Sequence, residues 1–196
     1  GSRRDIKAAL LLLDLDDFKN INDTFGHQTG DRLLIEASVR LQGLVRKTDT
    51  VARLGGDEFI ILLTEIDESE GSIEFARKLL ATFNAPFELN NNIIYATLSI
   101  GITIFPDDAD DPDDLIRNAD MALYRAKQSG KNMYYPYTSS LMEAAVRRFT
   151  LESQMRRAVD REEFEVYYQP KLNIKENNIS GAEALIRWKR QDGTSV

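Results

Sequence analysis

Three apolar stretches in the first third of the chain predict β-strands. Residues 8–16, AALLLLDLD, form a continuous apolar run that ends in acidic residues, as a buried strand does. Residues 50–54 and 59–63 are shorter apolar runs on either side of a polar segment. We interpret them as a β-hairpin with Gly55-Gly56 as its two-residue loop, because glycine accepts a positive φ without steric cost.

The remaining periodicity up to residue 138 predicts three amphipathic helices and two further strands. Residues 31–46, 72–83 and 111–130 carry apolar side chains at helical spacing, and the last of these helices has acids in its first turn and a glycine at its end. Residues 93–105 and 133–137 are typical of strands. The resulting order predicts an α+β fold with a palm-like (ferredoxin-like) central antiparallel sheet flanked by helices.

The composition changes after residue 138. Residues 139–160 predict one helix, and residues 161–196 predict two strands joined by an asparagine-rich turn. One helix and a β-hairpin bury too little surface for an independent core. We therefore expect a first domain over residues 3–138, a linker helix, and the opening fragment of an incomplete second domain.

Charge and cysteine content narrow the functional classes. The 196 residues include 25 basic and 32 acidic side chains, a net charge of −7, which disfavours nucleic acid as a partner. The sequence has no cysteine, which excludes disulfides and thiolate metal sites. Its longest apolar run has six residues, so we expect no membrane contact by this fragment. We expect a cytoplasmic location, and the parent protein could be membrane-anchored through a region upstream of this fragment.

Two acidic clusters are predicted at the ends of neighbouring strands. Asp14, Asp16 and Asp17 end the first strand, and Asp57 and Glu58 follow the glycine pair of the hairpin. An unpaired buried carboxylate is costly, so a cation should lie beside them. Carboxylates from adjacent strands, completed by phosphate oxygens, are a common Mg²⁺ site. Nucleotide-dependent chemistry is the leading hypothesis, and a solvent-exposed strand end is the alternative.

Three motifs in the same order resemble the GGDEF-domain diguanylate cyclases. They are DLDDFKNINDTFGHQTGD, RLGGDEF and ADMALYRAKQSGKN, and the resemblance extends from about Asp5 to Tyr137. It implies a palm-like enzyme that condenses two GTP molecules into cyclic di-GMP, with one GTP held by each half of a homodimer. It also implies a divalent metal cofactor, Mg²⁺ or Mn²⁺.

The resemblance assigns roles by position. Asp14, Asp57 and the Leu15 carbonyl match the metal ligands, and Glu58 matches a metal ligand or the base for the 3′-hydroxyl. The positions that match substrate contacts are Phe18, Lys19, Asn22, Asp31, Lys127 and Lys131. Among these, Asn22 and Asp31 match the guanine-binding pair, and the three lysines match phosphate contacts, although the family often has arginine at the last of them.

Structural alternatives stay open for several of these positions. Asn22 could be a turn residue and Asp31 a helix N-cap. Lysines at a helix end commonly complement the helix dipole. Arg46 and Asp49 match the product-inhibition site of the family, which binds cyclic di-GMP, but they could instead be a helix end and a turn cap.

The C-terminal segment resembles the opening of the EAL-domain phosphodiesterases. Glu183 matches the glutamate of their signature, a metal ligand in that family. The other ligands and the catalytic base of that family lie beyond the last residue of this sequence, so we expect this part to be inactive. For residues 3–138, the hypotheses are an active diguanylate cyclase, a catalytically silent GTP-binding module that regulates an attached phosphodiesterase, or a purely structural dimerisation domain.

Overall fold

The structure is a computed structural model that describes residues 7–66, 69–89 and 92–189. Its elements in chain order are β1 (Lys7–Leu15), α1 (Phe18–Phe25), α2 (His27–Gln42), β2 (Thr50–Gly55), β3 (Glu58–Ile66), α3 (Ser69–Phe83), β4 (Phe87–Leu89), β5 (Asn92–Ile94), β6 (Leu98–Phe105), α4 (Pro112–Gln128), β7 (Tyr134–Pro136), α5 (Ser139–Asp160), β8 (Phe164–Asn173) and β9 (Asn178–Trp188). The chain divides into two compact units, residues 1–142 and 143–196. In the described ranges, none of the helices has the length and apolar character needed to span a bilayer.

The first unit is built on a five-stranded sheet in the order β2-β3-β1-β6-β7. β1 lies at its centre and pairs antiparallel with β3 and β6, so that Leu12 lies opposite Ile60 and Gly101. The predicted palm-like α+β architecture is confirmed. One detail of the prediction was wrong: β7 pairs parallel to β6, because the chain crosses over through α4 between these two strands.

The two faces of β1 enter two separate cores, because side chains alternate across a strand. Leu11, Leu13 and Leu15 are fully buried in the larger core, which contains residues of α2, α3 and the β4–β5 hairpin. Leu10 and Leu12 pack on the opposite face against apolar side chains of α4. The central strand therefore holds helices on both sides of the sheet.

Helix α4 lies unusually close to β6, at Gly101. A Cβ at this glycine would lie 2.0 Å from the carbonyl oxygen of Ala119 and 2.4 Å from the amide nitrogen of Leu123. The helix begins at a capped N-terminus, where Asp111 accepts the amide N–H groups of residues 113 and 114. Glycine at position 101 thus fixes how α4, including Lys127 in its last turn, lies on the sheet.

Several boundaries differ from the sequence prediction. The predicted helix over residues 31–46 begins earlier, at His27, and ends earlier, at Gln42, and α1 precedes it where no element was predicted. The predicted strand over residues 93–105 is two strands, because β5 pairs with β4 in a separate hairpin and β6 joins the main sheet.

Arg40 ties α2 to the segment between α3 and β4. Its guanidinium donates hydrogen bonds to the carbonyl oxygens of Thr82, Ala85 and Pro86, at 3.4, 2.7 and 2.5 Å. It also lies 3.5 Å from the centre of the Phe87 ring. The guanidinium is planar and has five N–H donors, so it can donate to these carbonyls and stack on the Phe87 ring at the same time.

The second unit contains an antiparallel hairpin formed by β8 and β9. Trp188 near its end is buried, lies 5.7 Å from Phe164 between ring centres, and donates its indole N–H to Glu163 at 3.0 Å. This contact closes the open end of the hairpin.

Candidate active site

The carboxyl end of β1 meets the β2–β3 turn. Asp14 is the direct cross-strand partner of Glu58, so both side chains lie on the same face of the sheet. The Leu15 amide donates to the main-chain carbonyl of Asp57 at 3.2 Å, which fastens the turn to β1. The structure therefore brings the predicted metal ligands of two strands to one edge.

The loop of this hairpin is shifted by one residue from the prediction. Gly55 pairs with Glu58, so the two-residue loop is Gly56-Asp57 rather than Gly55-Gly56. The register shifts between Arg53 and Gly55, and Gly56 takes the positive φ of 54°. The Arg53 guanidinium braces the loop through two hydrogen bonds to the Gly56 carbonyl, at 2.9 and 2.7 Å. Asp57 thus lies in the turn, while Glu58 begins the strand.

Asp14 is a buried carboxylate in a negatively charged setting. It is 6% exposed, and burial raises its pKa above the ordinary value. The hydrogen bond from Lys127 opposes this increase, whereas the charges of Asp57 and Asp16 add to it. The Lys127 ammonium lies 2.6 Å from Asp14 Oδ2. A neighbouring cation therefore stabilises the charged form of this buried carboxylate.

The donor chemistry at this edge fits a hard divalent cation. Asp14, Asp57 and Glu58 supply carboxylate oxygens, and Leu15 can supply only its main-chain carbonyl oxygen, because its hydrocarbon side chain has no ligand atom. Over residues 7–66, 69–89 and 92–189, however, no three acidic or histidine side chains already converge as a metal site. Asp14 is instead paired with Lys127.

Asp16 has a different role from Asp14: Asp14 lies within β1, whereas Asp16 follows the last residue of this strand, Leu15. Asp16 is 5% exposed and accepts hydrogen bonds from the Ser99 hydroxyl at 2.6 Å, the Thr97 hydroxyl at 2.7 Å and the Asn132 amide at 3.0 Å. These partners satisfy the carboxylate inside the protein. Asp16 was grouped with its neighbours in the sequence, and only the serine and threonine across the sheet reveal its structural role.

The two predicted phosphate-binding lysines near the end of α4 both pair with aspartates at the carboxyl end of β1 or just after it. Lys127 pairs with Asp14, and Lys131 pairs with Asp17 at 2.7 Å. The hydrogen bond that the Lys131 ammonium donates to Asp17 is the main cause of the raised pKa of Lys131. The third lysine, Lys19, is exposed in the first turn of α1.

The α1–α2 corner contains the predicted guanine-binding pair. Asn22 lies inside α1 and is not a turn residue, and its Oδ1 is buried without a hydrogen-bond partner among the described residues. Gly30 of α2 packs directly on it, since a Cβ there would lie 1.8 Å from Asn22 Oδ1 and 3.3 Å from the ring of Phe18. Asp31 is exposed within α2, whose N-cap is Gly26, so the N-cap alternative for Asp31 was wrong.

Arg46 and Asp49 lie together in the turn before β2. This turn is a different part of the chain from β1 and the β2–β3 turn, which carry the predicted metal ligands. Asp49 accepts the amide N–H of Arg46 at 2.8 Å and that of Thr64 at 3.2 Å, which fastens the turn before β2 to β3. Arg46 is exposed and follows α2 by four residues, so it does not end that helix. Both residues line a groove of about 550 Å³ between this turn, β3 and α3.

Glu183, the predicted residue of the incomplete second site, lies in β9. It is opposite Gln169 of β8 and forms an exposed ion pair with Lys171 at 3.4 Å. The described part of the second unit thus presents this glutamate on the surface of a hairpin.

Comparison with known proteins agrees with this architecture. The family described as "Diguanylate cyclase, GGDEF domain" matches residues 2–133, and the family described as "EAL domain" matches residues 152–196. The bifunctional diguanylate cyclase/cyclic di-GMP phosphodiesterase MucR of Pseudomonas aeruginosa is 39% identical over 95% of this chain and 27% of its own length. This chain spans about a quarter of the length of the curated relatives it matches.

Solved structures give the same assignment for the fold. The GGDEF domain of YfiN from Pseudomonas aeruginosa is 36% identical, with a TM-score of 0.70 over 71% of this chain and 81% of that one. The GGDEF domain of DgcB from Caulobacter crescentus, solved in complex with c-di-GMP, is 25% identical, with a TM-score of 0.58 over 67% of this chain and 78% of that one.

Proposed function

Because this chain belongs to the GGDEF diguanylate cyclase family, we propose that residues 3–138 condense two GTP molecules into cyclic di-GMP and pyrophosphate. The observation that carries the proposal is the buried carboxylate of Asp14, which faces Glu58 across the strands and has Lys127 at 2.6 Å. This arrangement combines carboxylate oxygens that can bind a cation with a lysine, Lys127, that can contact phosphate oxygens. The relative MucR is named as an enzyme of this class.

Asp14, Asp57, Glu58 and the Leu15 carbonyl would hold Mg²⁺ or Mn²⁺. When bound, the cation supplies positive charge that activates the 3′-hydroxyl and stabilises the departing pyrophosphate. Glu58 is half-buried at the start of β3 and accepts the proton of that hydroxyl in this proposal. Asp14 contributes a fixed negative charge that needs no rearrangement of the strand.

Substrate recognition divides between two groups of residues, one for the phosphates and one for the base. Lys19, Lys127 and Lys131 bind phosphate oxygens as point charges. At the α1–α2 corner, the side-chain amide of Asn22 can donate to the acceptor edge of guanine, and Asp31 accepts from the N1–H and amino groups of guanine. Adenine does not offer these two donors in that arrangement, so GTP should be selected over ATP.

The reaction requires two copies of the chain. We propose that each protomer of a homodimer holds one GTP, because the described part of the chain offers one such site and the product contains two guanylate units. Specific activity should then fall when the protein is diluted through its dimer dissociation range. Constant specific activity across that range would exclude this requirement.

We also propose that Arg46 forms an inhibitory site for cyclic di-GMP. Its guanidinium is exposed beside the groove and can present a planar fork to the O6 and N7 edge of guanine. Asp49 holds the turn through two main-chain hydrogen bonds, so Arg46→Ala is the cleaner test. Arg46→Ala should relieve product inhibition, whereas Lys47→Ala, which removes the neighbouring exposed cation, should not. Equal inhibition of both variants and wild type would contradict the proposal.

The second unit is proposed to be the opening of an EAL domain that follows the linker helix over residues 139–160. Its Glu183 would belong to the metal site of that domain.

The decisive experiment incubates the protein with GTP and Mg²⁺ and separates the products by chromatography. Cyclic di-GMP should form with wild type and with Glu88→Gln, a matched change of an exposed glutamate in β4. Glu58→Gln should reduce the rate by about 100-fold or more, since general acid–base groups contribute about 10²–10⁴-fold. GTP binding without product would favour the silent regulatory module, and lack of GTP binding would overturn both functions.

A further inference from the structure

The turn after α4 has an unusual backbone. Gly130, Lys131 and Asn132 have consecutive positive φ values of 124°, 61° and 48°. A lysine in this region is uncommon and costs conformational energy. The Lys131 amide donates to the Ala126 carbonyl at 3.2 Å, and the Asn132 amide donates to Asp16 at 3.0 Å. The turn is therefore held at its main chain on both sides of the lysine side chain.

Asp17 completes this arrangement from the other side. It is the N-cap residue of α1, yet its side chain makes no capping hydrogen bond, and its own φ is 59°. Its Oδ1 instead accepts from the Lys131 ammonium at 2.7 Å, with a longer contact from the Asn20 amide at 3.4 Å. The Asp17 carboxylate therefore does not cap α1, although this is the usual role of an aspartate at an N-cap position.

Stability does not explain this use of Asp17. Its side chain is 54% exposed and that of Lys131 is 42% exposed. Exposed ion pairs contribute little to folding, and a lysine loses considerable rotamer freedom when it is fixed. An ordered Lys131 side chain is useful for binding, because it is already in place when GTP arrives. Its ammonium has three N–H donors, so it can keep the hydrogen bond to Asp17 and donate the others to phosphate oxygens.

We infer that Asp17 is a positioning residue that holds Lys131 in place for the phosphates of GTP. The inference rests on the proposed function, since it takes Lys131 to be a phosphate contact. It gives the three acids around the end of β1 distinct roles: Asp14 is a metal ligand in the proposal, Asp16 is a structural acceptor for the turn, and Asp17 orients the lysine.

A double-mutant cycle tests this inference, with GTP affinity measured by calorimetry in the presence of Mg²⁺ and thermal unfolding measured in parallel. Asp17→Asn keeps the size of the side chain and its tolerance of positive φ. It should raise the Kd for GTP roughly two- to fivefold, with little change in the unfolding temperature. Asp120→Asn removes the same charge from an exposed position of α4 and should leave the Kd unchanged.

The cycle separates positioning from a general effect of charge. In the Lys131→Met background, Asp17→Asn should have no further effect, because the residue it orients is gone. A Kd that is unchanged or lower in Asp17→Asn would overturn the inference, as would an equal effect in both backgrounds. Failure of the wild-type chain to bind GTP would overturn the proposed function along with it, whereas GTP binding with equal Kd in wild type and Asp17→Asn would overturn the positioning role alone.

Discussion

Replacement of Gly101 by alanine should displace α4 from the sheet. The added Cβ would lie 2.0 Å from the Ala119 carbonyl oxygen, 2.4 Å from the Leu123 amide nitrogen and 3.0 Å from the Leu123 Cα. All three are main-chain atoms, so no rotation of a side chain relieves the contact. The nearest distance must open from 2.0 Å to about 3.4 Å, which requires movement of the helix or of β6.

The magnitude follows from this geometry. Overpacked cores lose about 1–3 kcal/mol, and a collision between two main chains belongs at the upper end. With urea m-values of about 1–3 kcal/mol/M, a loss of about 3 kcal/mol lowers the unfolding midpoint by roughly 1 M or more. Because α4 carries Lys127, whose ammonium lies 2.6 Å from Asp14, the same displacement should also lower turnover.

Urea unfolding followed by circular dichroism measures the effect on the first unit. Gly71→Ala is the matched control, since it adds the same methyl group to α3, where no atom of the described residues lies within 4 Å of the new Cβ. That control should be neutral or stabilise by a few tenths of a kcal/mol to about 1 kcal/mol. A Gly101→Ala midpoint equal to wild type would show that α4 does not depend on this close approach.

Three further substitutions test other contacts. Gly30→Ala should weaken GTP binding about tenfold in calorimetry, because its Cβ would lie 1.8 Å from Asn22 Oδ1; an equal loss for ATP would contradict a role in base recognition. Arg40→Lys should lower the unfolding temperature by several degrees, since one ammonium cannot replace the hydrogen bonds to three carbonyls and the stacking on Phe87; an unchanged temperature would refute this clamp. Asp14→Asn should remove turnover and should raise the unfolding temperature at pH 7 in EDTA. The pKa of Asp14 in the folded state is raised above the ordinary 3.8, so the native state binds the proton more tightly than the unfolded state does. Wild-type stability therefore falls as the pH rises from about 3.8 through the raised pKa, and the variant lacks this loss. A lower temperature for that variant at pH 7 would contradict the sign of this effect.

The strands that carry the acids were predictable because their apolar runs are continuous. Residues 8–16 and 59–63 could be identified as buried strands from sequence, and the cross-strand pairing of Asp14 with Glu58 follows once the hairpin packs beside β1. Helix α1 was missed although Phe18, Ile21 and Phe25 stand at helical spacing. Eight residues are too few for periodicity to distinguish a helix from a loop, and this helix depends on packing against α2.

The roles of individual acids could not be separated from sequence. Asp14 and Asp16 are only two residues apart in the sequence, yet Asp14 pairs with Lys127, whereas Asp16 accepts hydrogen bonds from the hydroxyls of Thr97 and Ser99, more than eighty residues later. The same applies to Asp49, where a turn cap and a ligand contact require the same residue type and the hydrogen bonds from the amides of Arg46 and Thr64 identify the cap. Local sequence restricts the chemistry of a position, whereas its partner is set by tertiary structure.

The burial of Asp14 is itself an argument for a cation-dependent function. An apolar residue at this position of β1 would continue the packing of Leu10 and Leu12 against α4 without a desolvation penalty. The chain instead buries a carboxylate whose pKa is raised by burial and by the nearby charges of Asp57 and Asp16. Lys127 offsets only part of that cost, because the net pKa remains raised despite its hydrogen bond. Under the proposed function, a divalent cation would relieve the remaining repulsion, and the free energy released would add to its binding. The repulsion around Asp14 that destabilises the folded state without a cation would then increase the affinity for metal and nucleotide.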